Sequence, residues 1–152
     1  MATIVSLYTT GSFFRVPGGK NIHILQAGSN DLATGTGKAA QLITDYQTMT
    51  SRIKTDDPYA QVLICTLLPR NASFSGGQNA AGFESDRGTV NASVVANYAA
   101  WGADGVVDFA ANTTIGDAAD ADNTTYYGDK IHPTAAAHAI MARILVSAIR
   151  NL

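Results

Sequence analysis

The sequence has 152 residues, with 10 lysines and arginines, 12 aspartates and glutamates, a formal net charge of -2 and one cysteine. This length is typical of a single domain with its own core, so we expect one domain over residues 1–152. The near-neutral charge argues against a nucleic-acid partner, and a lone cysteine excludes disulfide scaffolds and cysteine-based metal sites.

The first part of the chain, residues 1–20, has the least regular pattern. Thr3–Tyr8 has the composition of a short strand, but glycines and a proline interrupt the residues that follow it. Too few residues separate it from the next strand for a parallel crossover, which needs about a dozen or more. We expect an irregular or substitute segment here. It lacks the basic flank and long apolar stretch of a signal peptide, and no apolar run in the chain reaches the ~18 residues of a membrane span.

From Asn21 onward, short apolar runs alternate with longer stretches of helical spacing, a pattern that predicts repeated βα units. The predicted strands are Ile22–Ala27, Gln61–Leu67 and Gly105–Phe109, and the predicted helices are Lys38–Lys54, Arg87–Trp101 and a last helix that begins at Pro133. Strands that alternate with helices form right-handed crossovers and a parallel sheet. Residues 21–152 therefore predict an α/β fold.

Three polar clusters lie at the predicted strand ends or before the last helix: Gly28–Asp31, Pro69–Asn71 and Asp129–His132. Because ligands bind beyond the carboxyl ends of parallel strands, we expect the clusters to share one rim of the sheet. An aspartate three residues before a histidine can bind one ring nitrogen and leave the other free to take a proton, although a simple loop hydrogen bond has the same spacing. A strand-end amide such as Asn30 can stabilise an oxyanion or merely form a turn.

Two of these clusters resemble the motifs of a known family. Gly28–Asp31 reads G-S-N-D and Asp129–Pro133 reads D-K-I-H-P, which match in order the G-x-N-D and D-x-x-H-P blocks of the SGNH hydrolases, also called GDSL-type esterases and lipases. The resemblance extends from about Asn21 to the C-terminus. It implies a flavodoxin-like, three-layer α/β/α sandwich with a parallel sheet, in which the N-terminal strand or strands of the family are missing or replaced.

The resemblance also implies a function, the hydrolysis of carboxylic esters through an acyl-serine intermediate, without a metal or other cofactor. It implies that His132 is the general base, Asp129 its orienting carboxylate and Asn30 a side-chain donor of the oxyanion hole. Gly28 is then the residue that lets the backbone turn close to the substrate. Acylated sugars, lipids and short-chain esters all remain possible substrates.

The nucleophile of the family is not evident, because no Gly-Asp-Ser occurs in the chain and only 29 residues precede Asn30. Ser12 is the nearest substitute, and Ser29 occupies a variable motif position that we expect to point away from the site. One hypothesis is an esterase whose nucleophile is relocated or supplied by preceding sequence, and another is an inactive binding module or truncated remnant. A third, a nucleotide module, has only the glycine-rich Gly35–Lys38 in its favour.

Three further expectations follow from local features. The sequence is poor in charge and carries N-x-S/T sequons at Asn71, Asn91, Asn112 and Asn123, which weakly indicates a secreted protein. Asp117, Asp120 and Asp122 crowd a short stretch and offer oxygens for calcium, although a solvated turn explains them more simply. An open strand Ile22–Ala27 invites pairing, so we expect Met1–Tyr8 or a second molecule, as in a homodimer, to cover it.

Overall fold

The computed structural model describes residues 20–71 and 79–152, in which three strands alternate with four α-helices. In chain order the elements are β1 (Ile22–Leu25), α1 (Ser29–Ala33), α2 (Ala39–Asp56), β2 (Gln61–Cys65), α3 (Ala80–Asn97), β3 (Gly105–Val107), a 3-10 helix (Ala118–Asp122) and α4 (Ala135–Arg150). No helix in these two ranges combines the length and the apolar character that crossing a membrane requires.

The three described strands form a parallel sheet in the order β1-β2-β3. Along β2 the side chains alternate between two separate cores. Val62 and Ile64 belong to the core that includes α2 and α3, whereas Leu63 and Cys65 belong to the core that includes α4. A strand buried on both faces requires a nearly continuous apolar run, which is the pattern that predicted it. The predicted flavodoxin-like α/β/α arrangement is confirmed.

The two faces of the sheet are covered unequally. On α2, the four apolar side chains that define the predicted stripe are all buried (Leu42, Tyr46, Met49 and Ile53). On α4 only Ala137 and Met141 are buried, and on β1 Ile22 and Ile24 are 39% and 40% exposed. Like β3, β1 is an edge strand of the described sheet. Its covering by Met1–Tyr8 or by a second molecule stays a prediction, because residues 1–19 lie outside the described ranges.

Helix α3 differs most from the sequence prediction. It was expected over Arg87–Trp101 and is observed at Ala80–Asn97, starting seven residues earlier. Asn79 caps it by accepting a hydrogen bond of 2.8 Å from the backbone N–H of Gly82. Gly82 lowers helix propensity in the first turn, so the sequence pattern did not indicate the true start.

The other boundaries shift by at most two residues, and the three strands begin at their predicted residues. Each strand ends two residues before its predicted end. The regular strands stop at Leu25, Cys65 and Val107, and the next residues lead into the loops at the carboxyl edge of the sheet. The last helix begins at Ala135 rather than at Pro133, which pairs with Tyr127 in an isolated bridge. The short helix α1 was not predicted. Asn30 lies in its first turn.

Candidate active site

A cavity of about 250 Å³ lies beyond the carboxyl ends of β1 and β2. Its walls are formed by Gln26, Ala27, Ser29, Asn30, Thr66, Leu67, Leu68, Pro69, Ile131, His132 and Pro133. Each of the three predicted polar clusters contributes to this lining, as their positions after the strands led us to expect. The fold thus brings Asn30 and His132, which are far apart in sequence, to the walls of one cavity.

Asp129 and His132 form a hydrogen-bonded pair at the mouth of this cavity. Asp129 Oδ2 lies 2.6 Å from His132 Nδ1, while Oδ1 accepts backbone N–H bonds from His132 at 2.7 Å and Ile131 at 3.0 Å. The side-chain bond to His132, followed by these backbone bonds, holds the pKa of Asp129 well below its usual range. Because the carboxylate is ionised, Nδ1 is the donor in the pair. The neutral ring therefore presents Nε2 as a proton acceptor.

The turn after β1 is fixed from inside the core. Gly28 has φ 109°, and a Cβ atom at this position would lie 2.5 Å from Leu42 Cδ2. Tyr46, which is fully buried, donates a hydrogen bond of 2.6 Å from its hydroxyl to the carbonyl of Ala27. Burial raises the pKa of Tyr46, so its hydroxyl stays a donor. The motif glycine is therefore required by the backbone and by Leu42, and it directs the chain so that Asn30 reaches the cavity.

The residue that continues β2, Leu67, is held by side chains of α3. Its N–H donates to Asn91 Oδ1 at 2.7 Å, and its carbonyl accepts from Asn91 Nδ2 and from Arg87 Nη1, each at 3.0 Å. Arg87 also donates to the carbonyl of Gly116 at 3.1 Å and pairs with Glu84. Both Arg87 and Asn91 are buried. Asn91 uses both ends of its amide in this way, so its sequon is inaccessible in the folded chain.

Sequence reasoning did not assign these two side chains a role. A signal existed, because Arg87 and Asn91 are four residues apart and interrupt the apolar stripe of Val90 and Val94. Polar residues at helical spacing among buried apolar ones need partners, and here the partners are backbone groups of the cavity wall.

A model of the GDSL-like lipase/acylhydrolase family matches residues 10–140 of the chain. The match spans most of the sequence and contains both the Gly28–Asp31 and the Asp129–Pro133 motifs. The chain belongs to the GDSL-like lipase/acylhydrolase family. No curated protein and no solved structure matches it. The family assignment confirms the resemblance to SGNH hydrolases and makes hydrolysis of esters the reaction class to which this site belongs.

No described residue is identified as the family's serine nucleophile. Ser12 lies inside the family match but outside the described residues, so its distance from His132 is not defined. Within residues 20–71 and 79–152, no serine or threonine hydroxyl is hydrogen-bonded to the His132 ring. Ser29 is among the residues that line the cavity beside Asn30, so it stays a candidate although the motif predicts that it points away. This GDSL-like chain therefore has two serines to test, one at each of these positions.

The aspartates of the 3-10 helix are engaged in capping and ion pairing. Asp117 and Asp120 cap the helix reciprocally, and Asp122 binds Asn71 and Lys130. In the described part of this GDSL-like chain, no group of three or more histidine, cysteine, aspartate or glutamate side chains is arranged to hold a metal ion. The sequence favoured a solvated acidic turn over a calcium site here, and the observed contacts are those of such a turn.

Proposed function

We propose that this chain hydrolyses small carboxylic esters through a serine acyl-enzyme, with His132 as general base, Asp129 as its orienting carboxylate and Asn30 in the oxyanion hole. The observation that carries the proposal is the Asp129–His132 pair at 2.6 Å on the wall of a cavity that Asn30 also lines. Membership of the GDSL-like family supports the same reaction class.

In this mechanism His132 Nε2 takes the proton of the serine hydroxyl as its oxygen attacks the ester carbonyl carbon. Asp129 stabilises the imidazolium that forms and keeps the ring in the correct tautomer. The Asn30 amide donates to the oxyanion of the tetrahedral intermediate. His132 then gives its proton to the leaving alcohol, and water attacks the acyl-serine by the same route in reverse, releasing the acid.

The size of the cavity supports a small acyl group. Its volume of about 250 Å³ corresponds to roughly eight water molecules at liquid density. Leu67, Leu68 and Pro69 give one wall an apolar surface. Apolar walls with a few directed polar groups are typical of sites for small organic ligands. An acetyl or similarly short acyl chain suits this space, with the alcohol portion directed toward the exposed side at His132.

A second candidate function is that of a non-catalytic binding module that uses the same cavity. The observation in its favour is that the chain has no Gly-Asp-Ser and that no described hydroxyl is bonded to His132. Without a nucleophile, a triad loses most of its rate enhancement while the binding cavity persists.

Hydrolysis of a short-chain aryl ester by the purified chain tests the proposal. His132→Ala should lower kcat by at least about 10³-fold because the general base is removed. His138→Ala is the matched control, since this histidine is exposed on α4, and it should leave the rate unchanged. Equal rates for His132→Ala and the unmodified chain would remove His132 from the mechanism.

Labelling with a fluorophosphonate, followed by peptide mapping, identifies the nucleophile. Covalent label on Ser12 or Ser29, lost in the corresponding serine-to-alanine variant, would assign the attacking hydroxyl. If the chain neither hydrolyses the ester nor takes up the label, the binding-module function replaces the esterase.

A further inference from the structure

The loop that carries the Asp129–His132 pair is not held in place by burial. The side chains of His132 and Asp129 are 78% and 55% exposed. Lys130, between them, has φ 66°, and among the described residues it is the only one other than glycine with a positive φ. A left-handed conformation is uncommon at such a residue and persists where local contacts enforce it. The backbone bonds that Asp129 accepts from Ile131 and His132 close the turn around Lys130, and further contacts hold Lys130 itself.

Lys130 is held at its main chain and at its side chain. Its backbone N–H donates to the carbonyl of Tyr127 at 3.3 Å. Its carbonyl accepts a hydrogen bond of 2.9 Å from the backbone N–H of Asn71, and its ammonium lies 2.8 Å from Asp122 Oδ1. The other oxygen of Asp122 accepts a bond of 2.7 Å from Asn71 Nδ2. Asn71 comes from the segment after β2, Asp122 from the end of the 3-10 helix, and Lys130 from the loop that carries the Asp129–His132 pair. Together they close a ring of hydrogen bonds, which we call the Asp122 clamp.

The charge of Asp122 suits this role. Its hydrogen bonds with Lys130, and then with Asn71, lower the pKa of the carboxyl. The group is ionised at neutral pH and remains so well into the acid range. An exposed ion pair of this kind adds little to global stability, but several charges and amides in one network fix geometry.

We propose that Asp122 is a positioning residue, which holds Lys130 in its left-handed conformation and thereby orients the Asp129–His132 pair toward the cavity. The expected effect of Asp122 on the rate rests on the proposed function. Its expected effect on the geometry of the loop can be measured without any activity. Asp122 acts through Lys130 and does not line the cavity that His132 and Asn30 share.

The central test combines removal of the clamp with a glycine at the strained position. Asp122→Ala should lower kcat for the aryl ester about 10-fold or more, with KM unchanged, because a misplaced base affects the transition state and not substrate binding. Adding Lys130→Gly should restore most of the loss, since glycine adopts positive φ without cost. Asp56→Asn, which removes the exposed Arg52–Asp56 pair of α2, is the matched control and should change neither parameter.

A spectroscopic measurement reports loop geometry directly. ¹⁵N chemical shifts of the His132 imidazole, assigned with His132→Ala, distinguish the tautomer protonated at Nδ1 from the one protonated at Nε2. The folded chain should show mainly the Nδ1–H tautomer, which Asp122→Ala should shift toward the Nε2–H form and Lys130→Gly should restore. Asp122→Asn, which keeps an acceptor for Asn71, provides a milder variant if the alanine variant is destabilised.

The outcomes separate the two proposals. Unchanged kcat and unchanged ¹⁵N shifts in Asp122→Ala would overturn the positioning role, as would a loss that Lys130→Gly does not restore. If the unmodified chain has no esterase activity, the proposed function fails, and the ¹⁵N shifts alone then decide whether Asp122 orients the pair.

Discussion

The two walls of the cavity are supported in different ways. The wall that contains Ala27 and Leu67 is attached to buried side chains of α2 and α3. In the wall that contains His132, Pro133 pairs with the buried Tyr127, but His132 itself is held by exposed groups. We refer to these as the core-anchored wall and the loop-anchored wall.

This difference assigns different physical tasks to the two walls. Oxyanion stabilisation depends on donors fixed before the reaction begins, and a buried scaffold fixes them at no cost during turnover. A general base must gain and lose a proton and accept different hydrogen-bond partners, which an exposed ring held by one carboxylate allows. Changes in the core-anchored wall should therefore lower stability, whereas changes in the loop-anchored wall should lower activity at nearly constant stability.

The largest effect on stability is expected for Gly28→Ala. The new Cβ would meet the buried side chain of Leu42, and the backbone would have to hold a positive φ. Strain and overpacking together should lower the free energy of unfolding by about 3 kcal/mol, measured by urea denaturation. If Gly28→Ala is as stable as the unmodified chain, the core-anchored wall does not depend on the packing of Gly28 against Leu42.

Substitutions at two other glycines distinguish backbone strain from overpacking as causes of the stability loss in Gly28→Ala. Gly37 has φ 71° but open space around it, so Gly37→Ala should show the backbone strain alone, about 1 kcal/mol. Gly88 lies within α3 in open space, and Gly88→Ala should stabilise the chain by about 0.5–1 kcal/mol through helix propensity.

Asn91→Ala should have the next largest effect. It removes two hydrogen bonds to the backbone of Leu67 and leaves the buried N–H of that residue without its acceptor. Loss of a buried partner of this kind costs about 1–3 kcal/mol. Asn97→Ala is the control, because Asn97 is exposed on the same helix and binds only the carbonyl of Ser93. If the two variants unfold at the same urea concentration, the amide of Asn91 does not support the core-anchored wall.

The sequence predicts some of these features and misses others for physical reasons. Periodic apolar residues located α2 and β2, and the motif order located Gly28, Asn30 and His132 at one rim. The start of α3 was not predicted because Gly82 lowers local helix propensity while tertiary packing of the helix compensates.

The anchors of both walls depend on contacts between distant parts of the chain. Asn91 binds a residue 24 positions away, and Asn71 binds Asp122 across 51 positions. The helical spacing of Asn91 among buried apolar residues indicates that it needs a partner, but the identity of that partner, like the Asn71–Asp122 pairing, depends on how the βα units pack. The motifs therefore predicted the groups that we propose react, and the fold was needed to identify the contacts of those groups.

The smallest effect on stability is expected for Asp129→Asn, in the loop-anchored wall. The folded pKa of Asp129 is lowered, so its bonds contribute stability above the ordinary carboxyl value of 3.8, and that contribution is lost as the pH falls toward the folded value. Because the pair is exposed and screened by solvent, Tm at pH 7 should change by no more than about 2 °C. The Tm values of Asp129→Asn and the unmodified chain should converge below pH 3.8 as the carboxylate is protonated.

The activity of the same variant should fall far more than its stability. An asparagine keeps the shape of Asp129 but no longer favours the Nδ1–H tautomer or stabilises the imidazolium, so kcat should drop by about 10²- to 10⁴-fold. Scanning calorimetry and ester hydrolysis on one preparation measure both quantities. A Tm loss at pH 7 as large as that of Asn91→Ala would show that the His132 loop is part of the rigid scaffold, and the distinction between the two walls would then be wrong.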